Sequence, residues 1–252
     1  MDKGETRGTE PFRILLLGDS LSFQGPEGIV TPKDARLYPQ VVAQLLSRHW
    51  NRPVQVQGTA REGWVTRDAW WALTKDPRVF AELLPKANAV LIGVGGMDQL
   101  PAFIPTYIRE SLPYIRPGTL RRKARRLFRD LSPRVVKRTG GLMRQLPEEA
   151  TNRYLTRIVQ AVRSIQGDIP IVAMTPSPYS GLAYPSQKFH LRARAAMLEW
   201  GEAHNVQVVD IEETVLTESV RGGRNPDGLH WGWSTHEAVG ARLAQCFIRE
   251  VG

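Results

Sequence analysis

Short apolar runs alternate along the chain with longer segments of helical period. The runs predict strands at 13–17, 53–57, 88–94, 169–174 and 206–211. The longer segments predict helices at 41–50, 66–74, 79–86, 154–166, 191–204 and 235–251. Apolar strands that alternate with helices indicate a parallel sheet covered on both faces. We therefore predict a flavodoxin-like, three-layer α/β/α fold with a five-stranded parallel sheet.

Binding sites in such open sheets form beyond the carboxyl ends of the strands. The pattern places four small or polar residues at that edge: Ser20 after the first strand, the glycines Gly95 and Gly96 after the third, and Thr175 after the fourth. We expect the chemistry of the protein to lie there.

One connection is far longer than the others. Residues 100–147 separate the third predicted strand from the next helix, whereas most connections in compact domains have about 4–6 residues. The stretch from 116 to 144 contains eleven Lys or Arg and one acid, Asp130, so it carries +10 of a chain whose formal net charge is +9. We interpret residues 100–147 as a basic helical lid inserted into a single domain that spans 1–252.

Composition narrows the class of protein. The chain has 252 residues, 42% of them hydrophobic, which is enough for a sizeable core. Its one cysteine, Cys246, excludes an intrachain disulfide and a cysteine-based metal site. The first residues, MDKGETRGTEPFR, are polar and show no apolar leader, and no apolar run is long enough for a membrane span. We expect a cytoplasmic protein.

A serine, a histidine and an aspartate stand at positions that suit nucleophilic catalysis. Ser20 follows the first strand directly, in Gly18-Asp19-Ser20. Of five histidines, His230 lies in a loop marked by Pro226 and Gly228, and Asp227 precedes it by three residues. A tight turn can bring the Asp227 carboxylate to Nδ1 of His230 and leave Nε2 facing the serine. The alternative is a turn serine and an unrelated loop histidine.

The Gly-Asp-Ser-Leu stretch near the N-terminus, with Asp-x-x-His near the C-terminus, resembles the GDSL, or SGNH, hydrolases. The resemblance implies that Ser20 is the nucleophile, His230 the base and Asp227 its orienting partner. It also implies an oxyanion hole formed by the backbone N–H groups of Ser20 and Gly63 and by an asparagine side chain. Where the family has that asparagine, this chain has Met97. Gln99 or a residue of the insertion is a candidate replacement, and Asp98 is expected to brace the loop.

Further stretches are similar to a narrower family, the actinobacterial diglucosylglycerate octanoyltransferases. They are 17–23 (LGDSLSF), 63–73 (GWVTRDAWWAL), 75–79 (KDPRV), Met97-Asp98 and the arginine-rich stretch after Arg116. This resemblance implies transfer of an octanoyl group from octanoyl-CoA to a hydroxyl of glucosylglycerate or diglucosylglycerate, in methylglucose lipopolysaccharide synthesis. It implies small-molecule substrates, acyl-CoA as a co-substrate, and neither a metal nor another cofactor.

The candidate substrate-binding residues are acids, tryptophans, arginines and one methionine in or near these motifs. They are Asp19, Trp64, Asp68, Met97, Asp98, Arg121, Arg122, Arg125 and Trp231. Arginine forks suit the phosphates of CoA and the carboxylate of glycerate. Nucleic acid is not expected, because only Phe128 interleaves the basic run. Two other functions stay open: an esterase of the same family that uses water as acceptor, and a non-catalytic module that binds an anionic polymer.

Overall fold

The computed structural model describes residues 10–223 and 225–252. Most of the polar N-terminal stretch, on which the predicted absence of a leader rests, lies outside the described residues. The strands of the main sheet are β1 (Phe12–Gly18), β2 (Val54–Ala60), β3 (Ala89–Gly93), β4 (Ile171–Met174) and β5 (Gln207–Val209). All neighbours are parallel and the order is β2-β1-β3-β4-β5. This is the flavodoxin-like arrangement, so the predicted fold class is confirmed.

Helices flank the sheet on both sides. They are α1 (Tyr38–His49), α2 (Thr66–Lys75), α3 (Thr106–Ser111), α4 (Gly118–Thr139), α5 (Glu148–Gln166), α6 (His190–His204), α7 (Glu212–Val220) and α8 (Trp233–Val251). One apolar cluster joins the sheet to α1, α7 and α8, and another joins it to α2, α5 and α6. The three layers follow from these two cores.

Strand β1 fixes the position of the candidate site. It pairs with β2 on one side and β3 on the other, so both of its edges are covered. Ile14 and Leu16 point into one core, and Leu15 and Leu17 into the other. A strand that is buried on both faces has a fixed register. The residue that follows its end is therefore held in place.

Some element boundaries differ from the sequence prediction. Helix α1 begins three residues earlier, with Pro39 in its first turn, where a missing N–H costs little. The helix predicted at 79–86 is instead a π-helical turn, Arg78–Leu83, followed by a 3₁₀ turn, Leu84–Lys86, that contains Pro85. Proline lacks the N–H that a continuous helix needs at this point. Helix α7 was not predicted.

The long connection contains α3, α4 and a two-stranded ribbon. The ribbon pairs Pro101–Ala102 with Met143–Arg144, so the segment leaves and returns at neighbouring points. Within α4, Val136 is buried and Phe128 stacks on Phe103, with ring centroids 5.3 Å apart. Most of the arginines of α4 are exposed. Among the described residues, no helix is both long enough and apolar enough to cross a membrane.

Candidate active site

Ser20 lies immediately beyond β1, in the 3₁₀ turn Ser20–Ser22. The Asp19 carboxylate caps this turn by accepting a hydrogen bond from the N–H of Leu21, 3.0 Å away. The Ser22 hydroxyl lies 3.0 Å from the hydroxyl of Tyr38, at the start of α1. The turn is therefore tied to both the sheet and the helix layer. Its local structure places the Ser20 hydroxyl at the carboxyl edge of the sheet.

The structure brings Ser20, His230 and Asp227 together. Nε2 of His230 lies 2.8 Å from Oγ of Ser20, and Nδ1 lies 2.5 Å from Oδ2 of Asp227. Oδ1 of Asp227 accepts the backbone N–H groups of Leu229 and His230. Partial burial raises the pKa of Asp227, but these hydrogen bonds outweigh it and hold that pKa below its ordinary value. The carboxylate is thus ionised at neutral pH and can fix the imidazole tautomer.

The loop that carries His230 is packed tightly against the loop after β4. Gly228 has a φ of +70°, and a Cβ there would lie 2.0 Å from the carbonyl oxygen of Ser180. The Ser180 N–H donates to the Gly228 carbonyl at 2.7 Å. The Asn225 side chain donates to the carbonyl of Gly25, 3.0 Å away. Only glycine fits at 228, and the close packing fixes the direction of the imidazole.

A cavity of about 360 Å³ opens in front of the serine. It is lined by Asp19, Ser20, Leu21, Glu62, Gly63, Gly96, Met97, Leu100, Arg109, Ser177, Tyr179, Tyr184, Leu229 and His230. A second cavity, of about 290 Å³, lies between this region and α4 and shares Arg109 and Tyr184 with the first. These two side chains therefore form part of the wall between the cavities.

The predicted oxyanion residues all face the catalytic cavity. Gly63 has a φ of +73°, a left-handed conformation that favours glycine, and no atom of the described residues other than Gly63 and its two chain neighbours lies within 4 Å of the position of a Cβ. Met97 also lines the cavity. The Gln99 side chain, a candidate replacement for the family's asparagine, is buried elsewhere. Its amide donates to the carbonyl of Ser177 at 3.0 Å, and its oxygen lies 2.8 Å from Nδ1 of His190.

Asp98 braces the loop after β3. It accepts hydrogen bonds from the N–H and hydroxyl of Thr66, at 3.0 and 2.6 Å, and from the hydroxyl of Thr151 at 2.8 Å. Burial raises the pKa of Asp98 to about 6, although these hydrogen bonds lower it. The side chain connects the start of α2 with the start of α5. It does not line the catalytic cavity.

Asp19 is a second fully buried carboxyl group at the site. Burial raises its pKa from 3.8 to about 7, opposed by the hydrogen bond from the Leu21 N–H and assisted by the negative charge of Asp98. Asp19 therefore keeps its proton over a much wider pH range than an exposed aspartate. It lines the cavity beside the nucleophile.

Several residues predicted to bind substrate do not line the catalytic cavity. Trp231 is buried in the core, where its Nε1 donates to Oγ of Ser177 at 3.0 Å. The Asp68 carboxylate caps α2 by accepting the N–H of Val65 at 3.1 Å. Trp64 packs against the core cluster on the α2 side of the sheet. The last three, Arg121, Arg122 and Arg125, lie on α4 outside the lining of both cavities.

Sequence reasoning missed several of the lining residues, and those with the largest polar side chains are Glu62, Arg109, Tyr179 and Tyr184. Arg109 lies on the six-residue helix α3, before the dense basic run. The density of positive charge in the sequence therefore does not single it out. The two tyrosines follow β4, and their position beyond a carboxyl strand end was the available signal. Within residues 10–223 and 225–252, no three His, Cys, Asp or Glu side chains are grouped so that they could hold a metal ion.

Comparison with known proteins adds to this geometry. The model of the GDSL-like Lipase/Acylhydrolase family matches residues 16–238. A diglucosylglycerate octanoyltransferase of Mycolicibacterium hassiacum is 40% identical over 242 residues, covering 95% of each protein. The diglucosylglycerate octanoyltransferase of Mycobacterium tuberculosis is 38% identical over 250 residues, 98% of this chain and 95% of that one. The crystal structure of an Enterococcus faecalis lipase/acylhydrolase is 18% identical, with a TM-score of 0.60 and coverage of 94% and 95%, and shares the fold.

Proposed function

The chain belongs to the GDSL-like lipase/acylhydrolase family, and we propose that it is a serine acyltransferase that moves an octanoyl group from octanoyl-CoA to a hydroxyl of glucosylglycerate or diglucosylglycerate. The observation that carries the proposal is the 2.8 Å contact between Ser20 Oγ and His230 Nε2, in a chain 40% identical to a diglucosylglycerate octanoyltransferase. The product is a precursor for methylglucose lipopolysaccharide.

The first half of the reaction forms an acyl-enzyme. His230 takes the proton of Ser20, and the serine oxygen attacks the thioester carbonyl. The carbonyl oxygen becomes an oxyanion, held by the backbone N–H groups of Ser20 and Gly63. The C–S bond then breaks, and the thiol leaves with the proton carried by His230. Asp227 orients the imidazole and stabilises its charged form.

The second half transfers the acyl group to the sugar. His230 deprotonates a hydroxyl of the acceptor, which attacks the ester carbonyl. The Ser20–carbonyl bond breaks and the serine recovers its proton. The missing asparagine at Met97 removes one oxyanion donor, a loss of about 3 kcal/mol of transition-state stabilisation in other enzymes. The thioester of the first half is more reactive than an alkyl ester, so the missing donor has the larger effect on the second half, in which the acyl-Ser20 ester is attacked.

The insertion has a proposed role in this reaction. We assign residues 100–147 as the lid, because its Arg109 faces the catalytic cavity and its α4 lines the adjoining one. A lid excludes water from the acyl-enzyme and so favours transfer over hydrolysis. The exposed arginines of α4, including Arg122 and Arg125, are assigned to the phosphates of the CoA donor. The proposed CoA donor supports a cytoplasmic location.

A second candidate is an esterase that uses water as acceptor. It is favoured by the family model, which describes lipases and acylhydrolases, and by the fold shared with the Enterococcus faecalis protein. The two candidates differ only in what attacks the acyl-enzyme. A non-catalytic binder of anionic polymers remains the alternative of another class. It predicts salt-sensitive polymer binding that survives Ser20→Ala.

The test combines labelling with product analysis. Labelled octanoyl-CoA is expected to acylate the wild-type protein and Ser22→Ala but not Ser20→Ala. Ser22 is the matched control because it lies on the same turn and its hydroxyl contacts Tyr38 instead of His230. Mass spectrometry of the products with diglucosylglycerate is expected to show its octanoyl ester. Equal labelling of Ser20→Ala would remove Ser20 from the mechanism, and hydrolysis unaffected by the sugar would identify an esterase.

A further inference from the structure

Arg109 provides positive charge inside the catalytic cavity. Among the described residues that line this cavity, it is the only Arg or Lys. It lies near the end of α3 and is half-buried, while most of the arginines of α4 are exposed on the outer surface. A ligand group that contacts Arg109 from the catalytic cavity therefore shares that cavity with Ser20 and His230.

The guanidinium of Arg109 is positioned by a neutral partner. Its Nη1 donates to Oε1 of Gln145 at 2.7 Å. Gln145 is itself fixed, because its N–H donates to the carbonyl of Leu100 at 2.9 Å and its Nε2 lies 3.3 Å from the hydroxyl of Tyr184. The amide of Gln145 orients the arginine without neutralising it.

Two other arginines of this region, in contrast, are paired with carboxylates. Arg67 is paired with Glu110 and Asp68, and Arg144 is paired with Glu148. Among the residues that the structure describes, no carboxylate lies within ion-pair distance of Arg109. An arginine that is held in place but not neutralised in a half-buried site is suited to bind an anion.

We propose that Arg109 binds the carboxylate of the acceptor's glycerate group and so selects acidic acceptors. This inference rests on the proposed function. The planar guanidinium matches a carboxylate with two parallel N–H···O bonds. The diphosphate of a CoA donor is separated from the thioester by the whole pantetheine arm. The glycerate is joined directly to a sugar whose hydroxyl must reach the acyl-enzyme, so its carboxylate is the anion that enters the cavity.

The experiment removes the CoA phosphates and varies only the acceptor's charge. The donor is the octanoyl thioester of N-acetylcysteamine, which carries no phosphate. The acceptors are glucosylglycerate and the same compound with its carboxylate replaced by a neutral primary amide. Wild type, Arg109→Gln, Arg109→Lys and Arg48→Gln are compared by kcat/KM for each acceptor. Arg48 is an exposed arginine on α1 and serves as the matched charge control.

Wild type and Arg48→Gln are expected to prefer the acid over the amide by about 10- to 100-fold, the range of a charge-assisted hydrogen bond. Arg109→Gln is expected to reduce this preference to about threefold or less, and Arg109→Lys to give an intermediate value. Thiol release in the first turnover, which reports acylation of Ser20, is expected to occur in all four proteins. This readout also shows that the variants are folded.

Three results would overturn the inference and leave the proposed function intact. Arg109→Gln with the wild-type preference would show that the arginine does not read the carboxylate. Equal losses on the acid and the amide would indicate a structural role. When the same proteins are also assayed with octanoyl-CoA, a raised KM of Arg109→Gln for this donor, with no change for the N-acetylcysteamine donor or for either acceptor, would assign Arg109 to the donor's phosphates. If wild type acylates neither acceptor although Ser20 is acylated, the proposed function fails, and this inference with it.

Discussion

Asp19→Asn is expected to stabilise the protein at neutral pH and to have little effect in acid. The asparagine oxygen can still accept the N–H of Leu21, so the cap of the Ser20 turn is kept. What the substitution removes is the ionisation of a fully buried carboxyl group. The substitution therefore removes the free-energy cost of ionising the Asp19 carboxyl group without a change of side-chain shape.

The magnitude follows from the pKa of Asp19. In the folded chain the pKa is raised from 3.8 to about 7, mainly by burial. The raised value favours the folded state below pH 3.8, and that advantage disappears as the pH rises through about 7. Each pKa unit corresponds to 1.36 kcal/mol, so the full difference is about 4 kcal/mol. Between about pH 4.5 and about pH 8, the free energy of unfolding of Asp19→Asn should rise by about 3 kcal/mol relative to wild type.

The assay is urea denaturation of both proteins across this pH range, followed by tryptophan fluorescence. Asp34→Asn is a control of opposite sign. The hydrogen bonds from Arg36 lower the pKa of Asp34 to about 2, so its carboxylate favours folding above the unfolded pKa and loses that effect in acid. Asp34→Asn should therefore destabilise the protein by a nearly constant amount between about pH 4.5 and about pH 8, and this effect should disappear only when the measurements are extended to about pH 2. A difference between Asp19→Asn and wild type that does not change with pH would refute the reasoning.

Two further substitutions test the site itself. Asp227→Asn should lower kcat by about 10⁴-fold, as in other triads, because the imidazole of His230 then adopts the wrong tautomer. The melting temperature should stay close to that of the wild type. A loss of kcat of less than about tenfold would argue against the role given to Asp227. Tyr184→Ala removes part of the wall between the two cavities, which hold about 360 and about 290 Å³. The ratio of kcat/KM for dodecanoyl over octanoyl thioesters should rise by about tenfold or more, because each additional buried methylene group contributes about 0.8 kcal/mol. An unchanged ratio would contradict this prediction.

The fold was predictable because its strands are buried on both faces. Continuous apolar runs such as Ile14–Leu17 can be recognised locally, and their alternation with helices determines the class of sheet. Helix α7 was missed because only Val215 of its nine residues is buried, which leaves almost no apolar period to detect. Local pattern thus suffices for the sheet and fails for an element with so little buried surface.

The candidate site was predictable where residues are close in the sequence. The spacing of Asp227 and His230 reveals a turn, and the approach of both to Ser20 follows from the sheet edge. The environment of Asp98 could not be read in this way, since Thr66 and Thr151 lie 32 and 53 residues away. Arg109 was missed for a similar reason: its importance depends on which cavity it faces and on a glutamine 36 residues further on.

The distance in sequence between the nucleophile and its base has a consequence for biosynthesis. Ser20 precedes His230 by 210 residues, although their side chains touch in the folded protein. At a translation rate of about 5–20 residues per second, the base leaves the peptidyl-transferase centre about 10–40 s after the serine. During this time the growing chain contains the serine but not its general base. The pair can therefore form only after the C-terminal loop has been synthesised.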